Sequence, residues 1–207
     1  AEGIVYEVCF ELCPGESCSP AAALELQGII DFTVPSGGSD GKAIHVVANS
    51  DIADLSIYGI GVANNGGGTD GEEYNFDAIS VSAGDHILVA RSIDAMNSYM
   101  DASTIFNHVL QATSSISQNG DDAIELFENG SVIETFGDID TDGTGQDWEY
   151  TDSWAYKVDG AWTYGGVNCT DNTTTICDST CIYPLAYCDT SGNVIAFLGS
   201  GNWRVQA

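Results

Sequence analysis

The sequence predicts an all-β protein built as a sandwich or barrel. Short runs of strand-forming residues recur along residues 24–160, and glycine-rich turns such as "PSGGSDG" and "NNGGGTDG" separate them. The segment "AIELFENGSVIETF" contains two alternating runs joined through Asn129-Gly130, a pair that tolerates the positive φ angles of a tight hairpin. These patterns predict β-strands rather than helices through most of the chain.

The sequence divides into three predicted regions. Residues 1–23 form an N-terminal arm in which "GIVYEVCFEL" alternates like one strand, until the Pro and Gly of "CPGESCSP" end it. Residues 24–160 form the β-domain. Residues 161–207 form a cysteine-rich C-terminal extension, whose last segment, "NVIAFLGSGNWRVQA", is predicted to be a terminal hairpin or a free strand that waits for a partner.

Within the β-domain, the strands are predicted from apolar runs that lie between turn signals. The predicted strands cover residues 24–33, 42–49, 55–63, 74–81, 86–91, 123–128, 131–136 and 153–158. One short helix is expected around "SIDAMNSYM", where Asp94 is suited to cap the first turn. We expect this helix to cross between two sheets rather than to build a core.

The charge of the chain is strongly acidic, since 31 Asp and Glu against 4 Lys and Arg give a formal net charge of −27. So few basic residues cannot form the positive patch that nucleic acids or anionic membranes require. These basic residues are Lys42, Arg91, Lys157 and Arg204. Cations are the natural partners of such a surface, although selection for solubility in a saline setting explains the same composition.

The cysteines predict an oxidising environment outside the cell. Disulfides explain them better than zinc does, because the sequence contains no C-x-x-C pair and no histidines near the cysteines. The seven cysteines form two clusters: Cys9, Cys13 and Cys18, and then Cys169, Cys177, Cys181 and Cys188. Since seven is odd, at least one thiol is left over or pairs with another chain, and sequence alone does not choose the connectivity.

Three N-glycosylation sequons also favour export: Asn129-Gly-Ser, Asn168-Cys-Thr and Asn172-Thr-Thr. No apolar run approaches the roughly 20 residues that a membrane helix needs. The chain begins with Ala1, and we interpret it as a mature product from which an export signal has been removed. The predicted location is therefore extracellular, either secreted or at the cell surface, without membrane insertion.

Four segments follow one another in a recognisable order: "LELQGIIDFTVPSGGSDGKAIHVVANSDIADLSIYGI", "SVSAGDHILVAR", "SISQNGDDAIELFENGSVIETFGDI" and "SWAYKV". This order, and above all the N-G-D-D-A-I-E-L run followed by N-G and V-I-x-x-F-G, resembles the lamin tail domain in its secreted, bacterial-type form. The resemblance covers about residues 24–158 and implies an immunoglobulin-like β-sandwich that serves as a non-catalytic module. The cysteine-bearing arms depart from the family pattern, and the resemblance supplies no ligand.

One acidic loop, "GDIDTDGTGQDWEY", contains candidate metal ligands. If Asp138 is position 1 of a twelve-residue calcium loop, then Asp140, Asp142 and Glu149 occupy positions 3, 5 and 12, and Thr144 offers its carbonyl at position 7. Calcium accepts about six to eight oxygens in loose geometry. The spacing therefore predicts calcium as a cofactor that stiffens the loop.

The same loop has a second interpretation as a simple turn. An EF-hand needs helices on both sides, whereas here the predicted strand "VIETF" enters the loop. The lamin tail resemblance implies a turn with Gly, Asp and Trp after the V-I-x-x-F-G strand, and Asp142 and Trp148 match it. Asp138 and Asp140 are then additional acids of an acid-rich protein.

Three Trp-x-Tyr pairs occur close together in "DWEY", "SWAY" and "AWTY". In a strand the two rings of each pair share one face, so each pair forms a small aromatic platform. Exposed platforms stack on sugar rings, whereas buried platforms belong to the core of a sandwich. We expect core or inter-chain packing rather than sugar binding.

Catalysis finds little support in the sequence, and we predict that the chain is not an enzyme. The three histidines, His45, His86 and His108, are scattered and lie in no recognisable order with a Cys or Ser nucleophile. No G-x-S-x-G, H-E-x-x-H or phosphate-loop motif occurs.

Three functions compete on these observations. The first is a structural or adhesive subunit of an extracellular assembly, whose partners are copies of itself or other surface proteins and glycans. Its terminal strands would add to a neighbour's sheet, and calcium would stabilise it. The second is an extracellular carbohydrate-binding module. The third is an accessory domain of a secreted hydrolase, which only the resemblance suggests.

Overall fold

Two β-sheets pack face to face in the computed structural model, which describes residues 22–34 and 38–195. The predicted β-sandwich is therefore confirmed. Three predictions lie outside the described residues: the N-terminal strand, disulfides at Cys9, Cys13 and Cys18, and a strand beyond Ile195.

The described residues form ten strands and two short α-helices. In chain order they are β1 (Leu24–Phe32), β2 (Gly41–Ala48), β3 (Tyr58–Ala63), β4 (Tyr74–Asn75), β5 (His86–Ala90), α1 (Ile93–Met100), α2 (Ala102–Ile105), β6 (His108–Gln111), β7 (Ala123–Glu128), β8 (Ser131–Phe136), β9 (Ser153–Val158) and β10 (Ala161–Tyr164). The large sheet has the order β10-β9-β1-β2-β5-β6, and the small sheet has the order β4-β3-β7-β8. Paired strands are antiparallel, except that β5 and β6 are parallel.

The inner core lies between the two sheets. Alternate residues of β1 and β2, such as Leu26 and Ile44, point into it and pack in the same cluster as Ile60 and Leu126 of the small sheet. All four side chains are fully buried. Burial of side chains of this size contributes roughly 1.5–3 kcal/mol each, which makes this layer the main source of stability.

A second apolar cluster, the outer core, covers the opposite face of the large sheet. Ile30 and Leu88 supply it from the sheet, while Met100 comes from α1 and Tyr183 from the C-terminal extension. We call residues 169–188 the C-terminal cap. The large sheet is therefore covered on both faces, and the molecule has a third layer beyond the predicted sandwich.

The helix α1 differs from the prediction in its cap and in its role. Ser92, not Asp94, is the N-cap residue, because its side-chain oxygen accepts a hydrogen bond from Ala95 N at 3.2 Å. The helix leads from β5 to β6, two parallel neighbours in one sheet, and it buries Met96 and Tyr99 in the outer core. The expectation that it crosses between sheets without building a core was wrong, because parallel neighbours need a crossover that covers one face.

The other predicted strands agree with the structure, with two exceptions. Residues 55–57 form a single 3-10 turn, because Asp54 caps it by accepting a hydrogen bond from Ser56 N at 3.0 Å. In the predicted strand 74–81, only β4 is regular, and Val81 forms an isolated bridge with Ile52. β6 and β10 were not predicted, and β10 continues the large sheet past the predicted boundary at residue 160.

The predicted hairpin at Asn129-Gly130 is confirmed. These two residues join β7 to β8, and their φ angles are 49° and 75°. Both angles lie in the left-handed region that a two-residue hairpin turn requires, which explains why Asn followed by Gly stands here.

Glu134 of β8 ties the small sheet to the large one. A β-bulge at Gln27 interrupts the pairing of β1, and Leu26 N donates instead to Glu134 Oε2 at 2.8 Å. The other carboxylate oxygen of Glu134 pairs with Lys157 Nζ of β9 at 2.5 Å. One carboxylate thus joins three strands and fixes how the two sheets face each other.

Candidate functional site

The acidic loop that follows β8 holds its carboxylates against its own backbone. Asp138 Oδ1 accepts from Asp140 N at 3.0 Å, and Asp142 Oδ1 accepts from Thr144 N at 2.9 Å. Glu149 Oε2 accepts from Gly145 N at 2.7 Å. The hydrogen bond from Thr144 N lowers the pKa of Asp142.

A second loop lies against this acidic loop at the same end of the sandwich. Gly68 N donates to Ile139 O at 2.8 Å, and a Cβ at Gly66 would clash with the backbone of Thr141. Gly66 also has a φ of 67°, so both its conformation and the close approach require glycine. On the other side, Thr144 Oγ1 donates to Asp121 Oδ2 at 2.8 Å.

This geometry accounts for the loop as a set of side-chain-capped turns, in line with the second interpretation given above. Among the described residues, no group of three or more His, Cys, Asp or Glu side chains is close enough together to hold a metal ion. Calcium binding through Asp138, Asp140, Asp142, Thr144 and Glu149 stays a prediction, and it requires these carboxylates to turn from backbone N–H groups toward a shared ion.

The calcium prediction has a direct thermal test. We expect calcium to raise the melting temperature relative to chelator at matched ionic strength, because an ion that binds only the folded state stabilises it by about 2.7 kcal/mol at one hundred times its Kd. Asp140→Ala should abolish the difference, whereas Asp77→Ala, a change in another exposed acid, should leave it intact. Equal melting temperatures with calcium and with chelator would show that the loop is a turn only.

The C-terminal cap is cross-linked by two disulfides, Cys169–Cys181 and Cys177–Cys188, each with a Cα–Cα distance of 5.7 Å. The four C-terminal cysteines thus pair with one another. Three of the seven cysteines remain, all in residues 1–21, so they cannot all pair among themselves. Disulfides of this kind are typical of proteins in oxidising compartments.

The three sequon asparagines are exposed. Asn129, Asn168 and Asn172 all have positive φ angles, which places them at the tips of turns. Around Asn168 the sequon Thr170 is buried, and its hydroxyl donates to Asp152 O at 2.8 Å. Asn129 and Asn172 are therefore the sequons whose hydroxyl residues, Ser131 and Thr174, are exposed.

Five of the six rings of the Trp-x-Tyr pairs pack in the two cores, as predicted, whereas the ring of Tyr164 is exposed. Trp148, Tyr150 and Trp162 surround Phe136 in the inner core, with ring centroids 4.7–5.9 Å from it. Trp154 and Tyr156 contact Tyr183 in the outer core at 5.9 and 5.4 Å. The platforms that motivated the sugar-binding hypothesis thus pack mainly against protein.

A row of three polar rings, of which His45 and Tyr183 are buried and His86 is partly exposed, links the C-terminal cap to the large sheet. The Tyr183 hydroxyl lies 2.9 Å from His45 Nδ1, and His45 Nε2 lies 2.8 Å from His86 Nδ1. Burial lowers the pKa of His45 well below its ordinary value, and His86 lowers it further. His45 is therefore neutral at pH 7 and can donate from one ring nitrogen and accept at the other.

No local sequence pattern marks this row of rings, because its members are far apart in sequence. His45 and Tyr183 are separated by 138 residues. The one signal in the sequence is that His45 stands between apolar neighbours in β2. A polar side chain in such a strand needs a hydrogen-bond partner. The contact of Tyr183 with His45 holds the C-terminal cap against the large sheet.

One cleft lies between α1 and the C-terminal cap, with a volume of about 520 Å³. Hydroxyl and carboxylate side chains line much of it, including Ser92, Asp94, Ser98 and Thr174, and Tyr99 forms part of its wall. Some of these groups are already engaged, since Thr174 Oγ1 donates to Asp178 Oδ2 at 2.7 Å. The two carboxylates of this lining, Asp40 and Asp94, disfavour an anionic ligand.

The three basic residues that the structure describes all make internal contacts. Lys42 Nζ pairs with Asp31 Oδ1 at 3.1 Å and also donates to the backbone carbonyl of Gln118. Arg91 Nη1 donates to Ile116 O at 3.3 Å, and Lys157 pairs with Glu134. The described surface therefore presents acids with little compensating positive charge.

Neither the fold nor these sites lead to a known relative: no family model, curated protein or solved structure matches this chain. The lamin tail resemblance accordingly stays a prediction. Among the described residues, no helix combines the length and the apolar character that crossing a bilayer would need.

Proposed function

We propose that the chain is a non-enzymatic structural or adhesive subunit of an extracellular assembly, which associates with copies of itself through strand pairing. The observation that carries this proposal is the free edge of β10. Among the described residues β10 pairs only with β9, and its sequence, Ala-Trp-Thr-Tyr, contains no charge. Natural proteins usually cover such edges or place charges on them, so an uncharged edge on a chain of net charge −27 is unusual.

Exposed apolar side chains surround this edge. Val158 ends β9, Tyr164 ends β10 and Val167 follows in the next loop, and 36–47% of each of these residues is exposed. Pairing with another strand would satisfy the free backbone groups of β10 and cover part of this apolar surface.

Secretion is part of the proposal and has independent support. The two disulfides are typical of an oxidising compartment, and the exposed sequons at Asn129 and Asn172 are compatible with a glycoprotein. Calcium or another cation would reduce the repulsion between strongly acidic copies.

Light scattering over a range of protein concentrations tests the assembly. We expect particles larger than a monomer that grow with concentration and with salt, and we expect Tyr164→Lys to reduce their size because it places a charge at the edge. Ala53→Lys, which adds the same charge at an exposed position in a loop, is the matched control. A chain that is monomeric at every concentration and salt would contradict the proposal.

A carbohydrate-binding module is the second candidate, and the cleft beside α1 is the observation that favours it. A monomer that binds glycans, and loses this binding in Asp94→Ala, would favour this function over assembly. The accessory-domain hypothesis has no support beyond the lamin tail resemblance.

A further inference from the structure

We infer that the free edge of β10 is the docking site for the N-terminal segment of this chain, residues 4–10, which would form a seventh strand of the large sheet. The β10 edge would receive this segment either from the same copy or from a neighbouring one. Docking on a neighbour would be the exchange of strands that the proposed assembly needs.

The hydrogen-bond pattern of the β9–β10 hairpin shows which groups are free. Gly165 N donates to Trp154 O at 3.0 Å, so Gly165 and Trp154 are a hydrogen-bonded pair of the antiparallel ladder. Hydrogen-bonded and non-hydrogen-bonded pairs alternate, and Thr163↔Tyr156 is therefore bonded, whereas Tyr164↔Ala155 is not. It follows that the N–H and C=O groups of Trp162 and Tyr164 point away from β9, toward the open edge.

The other three edges of the described sheets are less suitable for an added strand. The pairing of β8 with β7 has a register shift between Leu126 and Phe127. In addition, Glu134 of β8 already pairs with a lysine of the large sheet. β4 has only two residues. β6 begins with His108, whose ring lies 3.3 Å from Asp85. Among the described edges, only β10 offers a regular antiparallel ladder of four residues without a charged side chain.

The two faces of β10 define what an added strand must look like. Trp162 points into the inner core, with its ring centroid 4.7 Å from that of Phe136, whereas Thr163 lies on the other face and donates to Tyr156 O. A seventh strand therefore needs one continuous apolar face to extend the inner core. Its other face can carry both polar and apolar residues. The segment Ile4-Val-Tyr-Glu-Val-Cys-Phe10 has this pattern. Its first face carries Ile4, Tyr6, Val8 and Phe10, and its second face carries Val5, Glu7 and Cys9.

The length of chain outside the described residues permits this docking. Ala22 lies just before β1, and Asn49 Nδ2 donates to its carbonyl at 3.0 Å. The start of β1 lies at the same end of the sheet as the β9–β10 hairpin, because Gln27 Nε2 donates to Lys157 O at 2.6 Å. β1 and β10 are two strand spacings apart, about 10 Å. Residues 11–21 can span up to about 36 Å, so the segment reaches the edge of its own copy easily.

Amide hydrogen exchange on the full chain tests the inference at the predicted groups. We expect the amides of Trp162 and Tyr164 to exchange at least about tenfold more slowly than unprotected amides, although β10 lies at an edge. The double variant Glu7→Pro/Val8→Pro should restore fast exchange at both positions, because proline removes donors and cannot continue the ladder. Thr163, whose amide bonds to β9, should remain protected in both proteins. The control is Ser17→Pro, which places proline in the connector and should leave all three amides unchanged.

Two results would overturn the inference. One is fast exchange of the Trp162 and Tyr164 amides in the unmodified chain, and the other is protection that persists in the Glu7→Pro/Val8→Pro variant. Light scattering on the same samples separates this inference from the proposed function. Protected amides in a monomer would support docking on the same copy and contradict assembly, whereas fast exchange in an assembled sample would contradict docking at β10 and would show that the assembly uses another surface.

Discussion

Replacing Tyr183 by alanine is expected to lower the free energy of unfolding by about 3–5 kcal/mol. The Tyr183 side chain is fully buried, and its ring lies among five others, with centroid distances of 5.4–6.4 Å. Those rings belong to Phe32, His45, Phe106, Trp154 and Tyr156. Truncation would leave a cavity in the outer core and would remove the hydroxyl that His45 contacts.

Tyr183→Phe separates packing from hydrogen bonding. It keeps the ring and leaves His45 Nδ1 without its partner, so we expect a smaller loss of about 1–3 kcal/mol. Denaturant unfolding measures both variants, and limited proteolysis shows whether the C-terminal cap is released before the sandwich unfolds. Equal stability of the alanine and phenylalanine variants would contradict the packing role assigned to the ring.

Replacing Lys42 by methionine is expected to cost about 3–5 kcal/mol, because it removes one partner of a buried ion pair. Lys42 and Asp31 face each other across β1 and β2, and both are less than 10% exposed. Burial raises the pKa of Asp31, although the charge of Lys42 acts in the opposite direction. Without Lys42, both the carboxylate and the backbone carbonyl of Gln118 would lose a donor.

Two further variants make this prediction specific. Lys157→Met breaks the other described lysine–carboxylate pair, but Glu134 keeps its bond from Leu26 N and is itself partly exposed, so we expect a smaller loss of about 1.5–3 kcal/mol. The double variant Lys42→Met/Asp31→Val removes both buried charges and should recover most of the stability. Chemical denaturation measures all three proteins. A double variant as unstable as Lys42→Met would show that the damage does not come from an unpaired carboxylate.

The strands that could be predicted were those with a strong local signal. β1, β2 and the β7–β8 hairpin carry long apolar alternation or the Asn-Gly turn, and their limits agree with prediction to within a residue or two. β6 and β10 have only four residues each, and their pairing with neighbours rather than their composition makes them strands. A period of two cannot be recognised reliably over so short a run.

The sites were harder to predict than the fold, for a related physical reason. The spacing of acids in 138–149 is a local property, and it produced a calcium prediction whose carboxylates cap nearby N–H groups in the structure. The contact of Tyr183 with His45 depends on how the C-terminal cap crosses the large sheet, which no local pattern records. The pairing Cys169–Cys181 and Cys177–Cys188 likewise depends on the path of the cap.

The side chains of Lys42, Arg91 and Lys157 make internal contacts, so acidic side chains dominate the described surface. This surface behaves as a polyelectrolyte. In solution such a surface gathers an atmosphere of mobile cations, whose density follows the ionic strength of the medium. When two copies approach, their negative surfaces repel each other. Added salt screens this repulsion, so the work of bringing the copies together falls. Association would therefore strengthen with salt, which is the reverse of the behaviour of proteins that bind nucleic acids. If the proposed assembly forms, the ionic strength of the medium would set the protein concentration at which association begins.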